Sequence, residues 1–304
     1  MGLKAFVFAG QGAQYPGMGR DLYEKNSAAR AVFDAAEAAR PGTLEMCFSG
    51  DAQALSQTIN TQPCLFAMDL ACAHAARQCV GDADCCAGFS LGEVAAAAYA
   101  GVMELDQALR FVHVRAESMQ LCAQQHPGAM GAVLRLTAPQ VEQICAAFPD
   151  SAFPVNYNAP GQTVVACAQE IYGQVEKRVR EAGGRMVRLQ VGGAFHTPWM
   201  AQAKAALEER LAKEPVRQAR IPLYANLTAQ PYGQDASQLL SRQVISPVRW
   251  QQSVENMFAA GVDTFIEVGA GKTLTGLIRK IVPEARVFNV QTADDLAALK
   301  EELR

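Results

Sequence analysis

Residues Cys85 to Tyr99 read CCAGFSLGEVAAAAY, and no other stretch of the chain limits the fold so tightly. Small apolar residues able to form a buried strand run up to Gly88, and an alanine-rich segment suited to a helix follows Gly92. Between them, Gly88, Phe89, Ser90, Leu91 and Gly92 make a GxSxG. A strand turning sharply into a helix between two glycines lifts the central serine to the tip, its hydroxyl exposed beside a helix N-terminus. That is a nucleophile elbow. By itself the pattern is weak, because three specified residues at about 7% each give roughly 0.1 chance matches in a chain this long. The surrounding chain has to support it.

At 304 residues the chain has room for two domains of about 150 residues, or one large unit carrying an insertion. Half the residues are hydrophobic and 19% are charged, which fits an extensive buried interior. A net charge of -3 without a long basic run gives no electrostatic reason to expect nucleic acid or a membrane surface. No apolar stretch approaches the roughly 18 residues of a membrane span. The opening MGLKAFVFAG moves directly into a strand pattern rather than that of a signal peptide. Nine cysteines, an odd number with no CxxC pair, read mostly as small buried hydrophobes in a reducing compartment, so the expected location is cytoplasmic. Nothing in the pattern asks for a metal or a cofactor.

Lys4 to Ala9 read as a strand ending in Gly10, Gln11, Gly12, Ala13 and Gln14. Glycines on both sides of Gln11 let the backbone come close to a ligand, so its N–H could face one, although an ordinary strand-to-helix turn reads the same way. Asp21 to Ala39 read as one amphipathic helix, and a second helical region begins at Asn60 to Pro63, with Leu65, Met68, Cys72 and Cys79 as core. Leu105 to Ala123 form a helix whose apolar face holds Leu105, Ala108, Val112, Met119 and Cys122. Arg115 lands inside that face. A guanidinium facing a core needs an anionic partner, either a protein carboxylate or a substrate carboxylate held by two parallel hydrogen bonds.

From Pro127 to Gly193 the rhythm becomes strand 131–136, helix 138–148, strands 154–158 and 163–168, helix 170–182 and strand 185–191. This βαββαβ order is the ferredoxin-like split βαβ, which can be inserted into a larger domain. The expected division is therefore a discontinuous large domain, 1–126 and 194–304, and an inserted domain, 127–193. His196 follows the return at Gly192 and Gly193 and is expected to open a helix. At a domain seam, in a chain with an elbow serine, it is the best general-base candidate, because an alcohol needs a base to become nucleophilic at neutral pH. Later, strand 221–225 leads to Asn226, Gln243 to Trp250 loop around Pro247, and strand 264–268 enters GAGKT. A phosphate loop is refused there, since Ile266 stands where the first glycine is required. Thr292 to Arg304 read as a capped helix with Leu296, Leu299 and Leu303 inward.

In order, the stretches AGQGAQ (9–14), GFSLGE (88–93), Arg115 in its helix, VNYNAPGQ (155–162), GAFHTPWM (193–200), QVISPVRW (243–250) and EVGAGKTLTG (267–276) resemble the malonyl-CoA:acyl carrier protein transacylases. The resemblance covers essentially the whole chain. It implies an α/β fold, with an α/β-hydrolase-like large domain containing a parallel sheet and an inserted ferredoxin-like domain. It implies a likeness in activity too: a malonyl group would pass from malonyl-CoA to the phosphopantetheine thiol of holo acyl carrier protein through an ester on Ser90, by ping-pong kinetics, with no cofactor and as a monomer. His196 would be the base, and the N–H groups of Gln11 and Leu91 the oxyanion hole. Arg115 would bind the malonyl carboxylate, Phe195 would favour malonyl, and the carbonyl of Gln243 would orient His196. One departure stands out: the family's usual GHSLG has histidine where this chain has Phe89, which removes a polar contact beside the acyl group. The alternatives are a serine hydrolase, for which Asp263 or Glu267 would have to back the histidine, and a noncatalytic acyl-CoA or carrier-protein binding module. A polyketide acyltransferase of other acyl selectivity also fits.

Overall fold

The computed structural model describes residues 2–303. Five strands, β1 (Leu3–Phe8), β2 (Cys85–Gly88), β7 (Leu223–Tyr224), β8 (Val262–Val268) and β9 (Arg286–Val290), form a parallel sheet in the order β7-β2-β1-β8-β9. Their nearly continuous apolar sequences follow from helices covering both faces, which leave β1, β2 and β8 buried on both sides. The carboxyl ends of β1, β2, β7 and β8 therefore open onto one edge, and in open α/β sheets that edge is where ligands bind.

The other four strands are β3 (Gly128–Leu134), β4 (Ala152–Ala159), β5 (Gln162–Ala168) and β6 (Arg185–Arg188). They form an antiparallel sheet in the order β4-β5-β3-β6, with helices Ala138–Ala146 and Tyr172–Glu181 in the two crossovers. This is the ferredoxin-like strand order expected from the βαββαβ rhythm. The sheet has its own core, which includes Val133, Val141, Val165, Cys167, Val175 and Val179. Its edge strand β4 is tied to the loop after Gln243: Tyr157 N–H donates to the Val248 carbonyl (2.9 Å) and Val248 N–H to that of Val155 (2.8 Å).

Several boundaries differ from the sequence reading for local reasons. The helix expected over 21–39 is two, Arg20–Lys25 and Ser27–Ala39, because Asn26 adopts an extended conformation and caps the second through Ala29 N–H. The helix expected near Asn60 starts at Thr58 and carries Pro63 in its interior. Strand β6 ends at Arg188; one further bond, Leu189 N–H to the Met130 carbonyl (2.9 Å), follows, and Leu189 and Val191 line the cleft. His196 does not open a helix. It stands in a turn at φ 63°, ahead of the short 3₁₀ segment Pro198–Met200. The helix expected from His196 begins at Ala201 (Ala201–Lys213), and helices Ala236–Arg242 and Trp250–Ala259, together with β9, complete regions for which the sequence suggested no element. Eight of the nine cysteines are buried and all are free thiols. Among the described residues no helix is long and apolar enough to cross a membrane.

Candidate active site

The elbow is built as its glycines require. A Cβ at Gly88 would overlap the backbone of Gly92 and Glu93, and one at Gly92 would overlap the carbonyl groups of Phe8 and Ala9. Strand β2 can thus turn into helix Leu91–Tyr99 only with no side chain at either position. Ser90, between them, has φ 53° and ψ -103°, a backbone region costly for any residue with a side chain. The strain is held by Asn226, at the end of β7. Its Oδ1 accepts from Ser90 N–H at 2.7 Å, and its Nδ2 donates to the Gly88 carbonyl at 2.5 Å. Gln243 Nε2 donates to the Ser90 carbonyl at 2.8 Å. Asn226 was not singled out as a functional residue in the sequence. A signal was present, since a polar residue directly after a buried strand lies on the sheet edge where sites form.

Ser90 Oγ is 2.8 Å from His196 Nε2. On the far side of the ring, His196 Nδ1 donates to the carbonyls of Gln243 (3.0 Å) and Ser246 (3.1 Å). Two carbonyl acceptors fix the tautomer, leaving Nε2 free to accept the serine proton. Burial, reinforced by the nearby Arg115 charge, pulls the His196 pKa down to about 4, although the carbonyl bonds oppose the shift. The ring is therefore neutral at physiological pH. Gln243 was expected behind His196; Ser246 is an addition. Neither carboxylate considered for a hydrolase stands there. Glu267 accepts from the N–H groups of Leu274 and Thr275 at the start of helix Thr273–Ile281, and Asp263 accepts from Gly2 N–H.

Arg115 is 1% exposed and reaches the same serine. Its Nη2 donates to Ser90 Oγ at 3.2 Å and to Gln243 Oε1 at 2.8 Å, while its Nε has no partner among the described residues. The expected anionic partner is not in direct contact. The nearest carboxylate influence is Glu93, in the same network: Gln243 Nε2 donates to Glu93 Oε2 (2.5 Å), and Tyr232 donates to Glu93 Oε1 (2.6 Å). Burial lowers the Arg115 pKa to about 10, against the opposing pull of Glu93, so the guanidinium remains charged. Glu93 itself is raised by burial to about 7.

The Gln11 loop leans on the elbow, because a Cβ at Gly10 would come within 2.6 Å of the Phe89 carbonyl oxygen. Among the described residues, neither the Gln11 nor the Leu91 N–H donates a hydrogen bond, whereas Gly12 and Gly92 beside them do. Two free backbone donors thus flank the serine. A cavity of about 60 Å³ adjoins Ser90, His196 and Arg115 and is walled by Met119, Met130, Leu189, Val191 and Phe195. At Gln11, Phe89, Asn156 and Leu189 it meets a larger trough of about 250 Å³ between the two sheets. The Phe89 ring packs edge-on to Trp250, with ring centroids 5.7 Å apart. None of the hydrogen bonds joining Ser90, His196 and Arg115 passes through the side chain at 89.

The arrangement has the parts of a covalent acyl transfer: an alcohol with a base, free donors for an oxyanion, and a buried cation one bond from the nucleophile. Comparison with known proteins agrees. Residues 5–301 match the family model described as the acyl transferase domain. The chain belongs to the acyl transferase domain family. A malonyl CoA-acyl carrier protein transacylase of Bacillus subtilis is 33% identical over 309 residues, covering 98% of both chains. The crystal structure of the Clostridium perfringens protein of that name superposes with a TM-score of 0.95 at 32% identity, over 99% of this chain and 97% of that one. A malonyl-transacylase solved in complex with a type II polyketide synthase acyl-carrier protein gives a TM-score of 0.94 at 30% identity, over 99% of each. The mixed fold, with one parallel and one antiparallel sheet, is thus common to this acyl transferase and its solved relatives.

Proposed function

We propose that the chain is a malonyl-CoA:acyl carrier protein transacylase, an acyltransferase supplying malonyl units for fatty acid synthesis. The observation that carries this reading is the position of Ser90 Oγ, between the His196 base at 2.8 Å and the Arg115 guanidinium at 3.2 Å. A cation buried this close to the nucleophile suits an acyl group that ends in a carboxylate, held by two hydrogen bonds. The small apolar chamber, with Phe195 on its wall, suits a short one.

Ser90 Oγ attacks the malonyl thioester while His196 Nε2 takes its proton. The oxyanion that develops points at the N–H groups of Gln11 and Leu91, donors fixed before the reaction begins. Collapse expels the coenzyme A thiolate, His196 returns the proton to it, and the malonyl ester remains on Ser90. The phosphopantetheine thiol of holo acyl carrier protein then gives its proton to His196 and attacks the ester, and His196 returns that proton to Ser90 Oγ as it leaves. Carbonyls of Gln243 and Ser246 orient the histidine as a carboxylate would, with less stabilisation of the imidazolium. With no carboxylate behind His196, the geometry favours transfer over the hydrolase alternative.

The same proposal includes a large domain of 1–126 and 194–304, an inserted domain of 127–193, a monomeric chain and a cytoplasmic location. It is tested by incubation with labelled malonyl-CoA. A label retained on Ser90 and discharged by holo carrier protein supports transfer; rapid loss to water supports hydrolysis; no covalent label supports binding alone. Label retained by Ser90→Ala would sink the assignment.

A further inference from the structure

Glu93 is wholly buried, and its charge cannot be screened by water. The groups facing it are Arg115 from helix Leu105–Gln125, Tyr232 from the segment after β7, and Cys86 from β2. Tyr232 and Cys86 are pushed well above their usual ranges and are neutral, as is His196 beyond Arg115. Asn226 and Gln243 complete the shell with neutral amides. The network thus carries one cation, Arg115, and one anion, Glu93. They do not touch. Gln243 stands between them, its Oε1 accepting from Arg115 and its Nε2 donating to Glu93.

A second carboxylate arriving at Arg115 would leave this closed network with a net negative charge, which a site without solvent resists. We propose that the malonyl carboxylate replaces Glu93 as the counter-charge of Arg115, and that Glu93 takes up a proton as the acyl group arrives. The heavy atoms need not move. Glu93 Oε1 already lies 2.6 Å from the Tyr232 hydroxyl, whose oxygen can also accept a hydrogen bond from a protonated carboxyl. A Glu93 carboxyl titrating at about 7 is poised for the change. Glu93 is thus a positioning residue: through Gln243 it holds the guanidinium ready in the empty site, and by neutralising it yields that charge to substrate.

The inference rests on the malonyl reading of Arg115, and its test separates the two. Formation of the serine ester is itself proton-neutral, because the hydroxyl proton leaves on coenzyme A. Proton uptake can therefore be followed with an indicator in weak buffer during a single acylation by malonyl-CoA, with coenzyme A alone as the control. At about pH 8, where the empty site is mostly ionised, we expect uptake approaching one proton per malonyl-serine, and none beyond the control in Glu93→Gln. In the unaltered protein, the KM for malonyl-CoA should rise about tenfold per pH unit above about pH 7. A full yield of malonyl-serine with no excess uptake and a flat KM overturns the inference and leaves the malonyl reading standing. No ester at all removes that reading, and the inference with it.

Discussion

Asn226→Ala tests whether the serine's strained backbone is held from outside the elbow. The substitution removes the acceptor of Ser90 N–H and the donor to the Gly88 carbonyl, at 2.7 and 2.5 Å, from a residue 1% exposed. Each buried group left without a partner costs about 1–3 kcal/mol, and the positive φ at Ser90 is then held mainly by the Gln243 bond to its carbonyl. A loss of roughly 2–4 kcal/mol is expected, a large share of the ~5–15 kcal/mol that stabilises a domain. Catalysis should suffer separately. Relaxation of Ser90 by about 1 Å would spoil both the 2.8 Å contact with His196 and the aim at the two free N–H groups, at a cost of about 100-fold in acylation rate. Urea denaturation measures the first effect, and the pre-steady-state burst of labelled malonyl-serine measures the second. If the variant keeps wild-type stability and burst rate, the elbow is rigid without Asn226 and the reasoning is wrong.

Arg115→Ala should lower kcat/KM for malonyl-CoA by roughly 100- to 1000-fold, through loss of two charged hydrogen bonds, while activity toward acetyl-CoA rises; unchanged malonyl kinetics would exclude a carboxylate clamp. The pH dependence of stability should show two opposing contributions. His196 falls from an ordinary 6.5 to about 4 on folding, so its contribution is full above 6.5 and is lost as pH falls toward 4. Glu93 rises from 4.5 to about 7, so its contribution is full below 4.5 and is lost as pH climbs through 7. Each spans about 3 kcal/mol and they nearly cancel between pH 4.5 and 6.5. Relative to the wild type, Glu93→Gln should therefore lose about 2 kcal/mol of stability on acidification from pH 6.5 to 4.5; parallel denaturation curves would contradict the assignment. Phe89→His places a polar ring against Trp250 and should lower stability by about 1–2 kcal/mol in denaturation, with kcat for malonyl transfer kept within about tenfold. A larger fall in kcat would mean that the ring at 89, which lines the chamber beside Ser90, acts on the reacting acyl group.

Much of this was legible along the chain because the information is local. The elbow can be read because Gly88 and Gly92 stand at fixed offsets from Ser90, and the βαββαβ rhythm because strand and helix periods differ over a few residues. Arg115 could be placed inside its helix because 3.6 residues per turn fix its face. Where local chemistry was misjudged, a short-range competitor won: Asn26 prefers to cap a helix rather than continue one, so the segment 21–39 broke there.

The sequence by itself determined the inserted βαββαβ unit, the exposed serine and the inward-facing arginine, since periodicity and turn chemistry are written residue by residue; the parallel sheet was implied by the family resemblance. Only the tertiary structure decided what those groups meet. The partner of Arg115 proved to be the Gln243 amide, 128 positions away, with Glu93 beyond it. Asn226, 136 positions after Ser90, proved to pin the elbow, and the sheet edge set Ser246 behind His196. No spacing rule reports such contacts. They exist because parallel strands end side by side however far apart they lie in the chain, and because buried polar groups bind whatever partner the packing brings within reach.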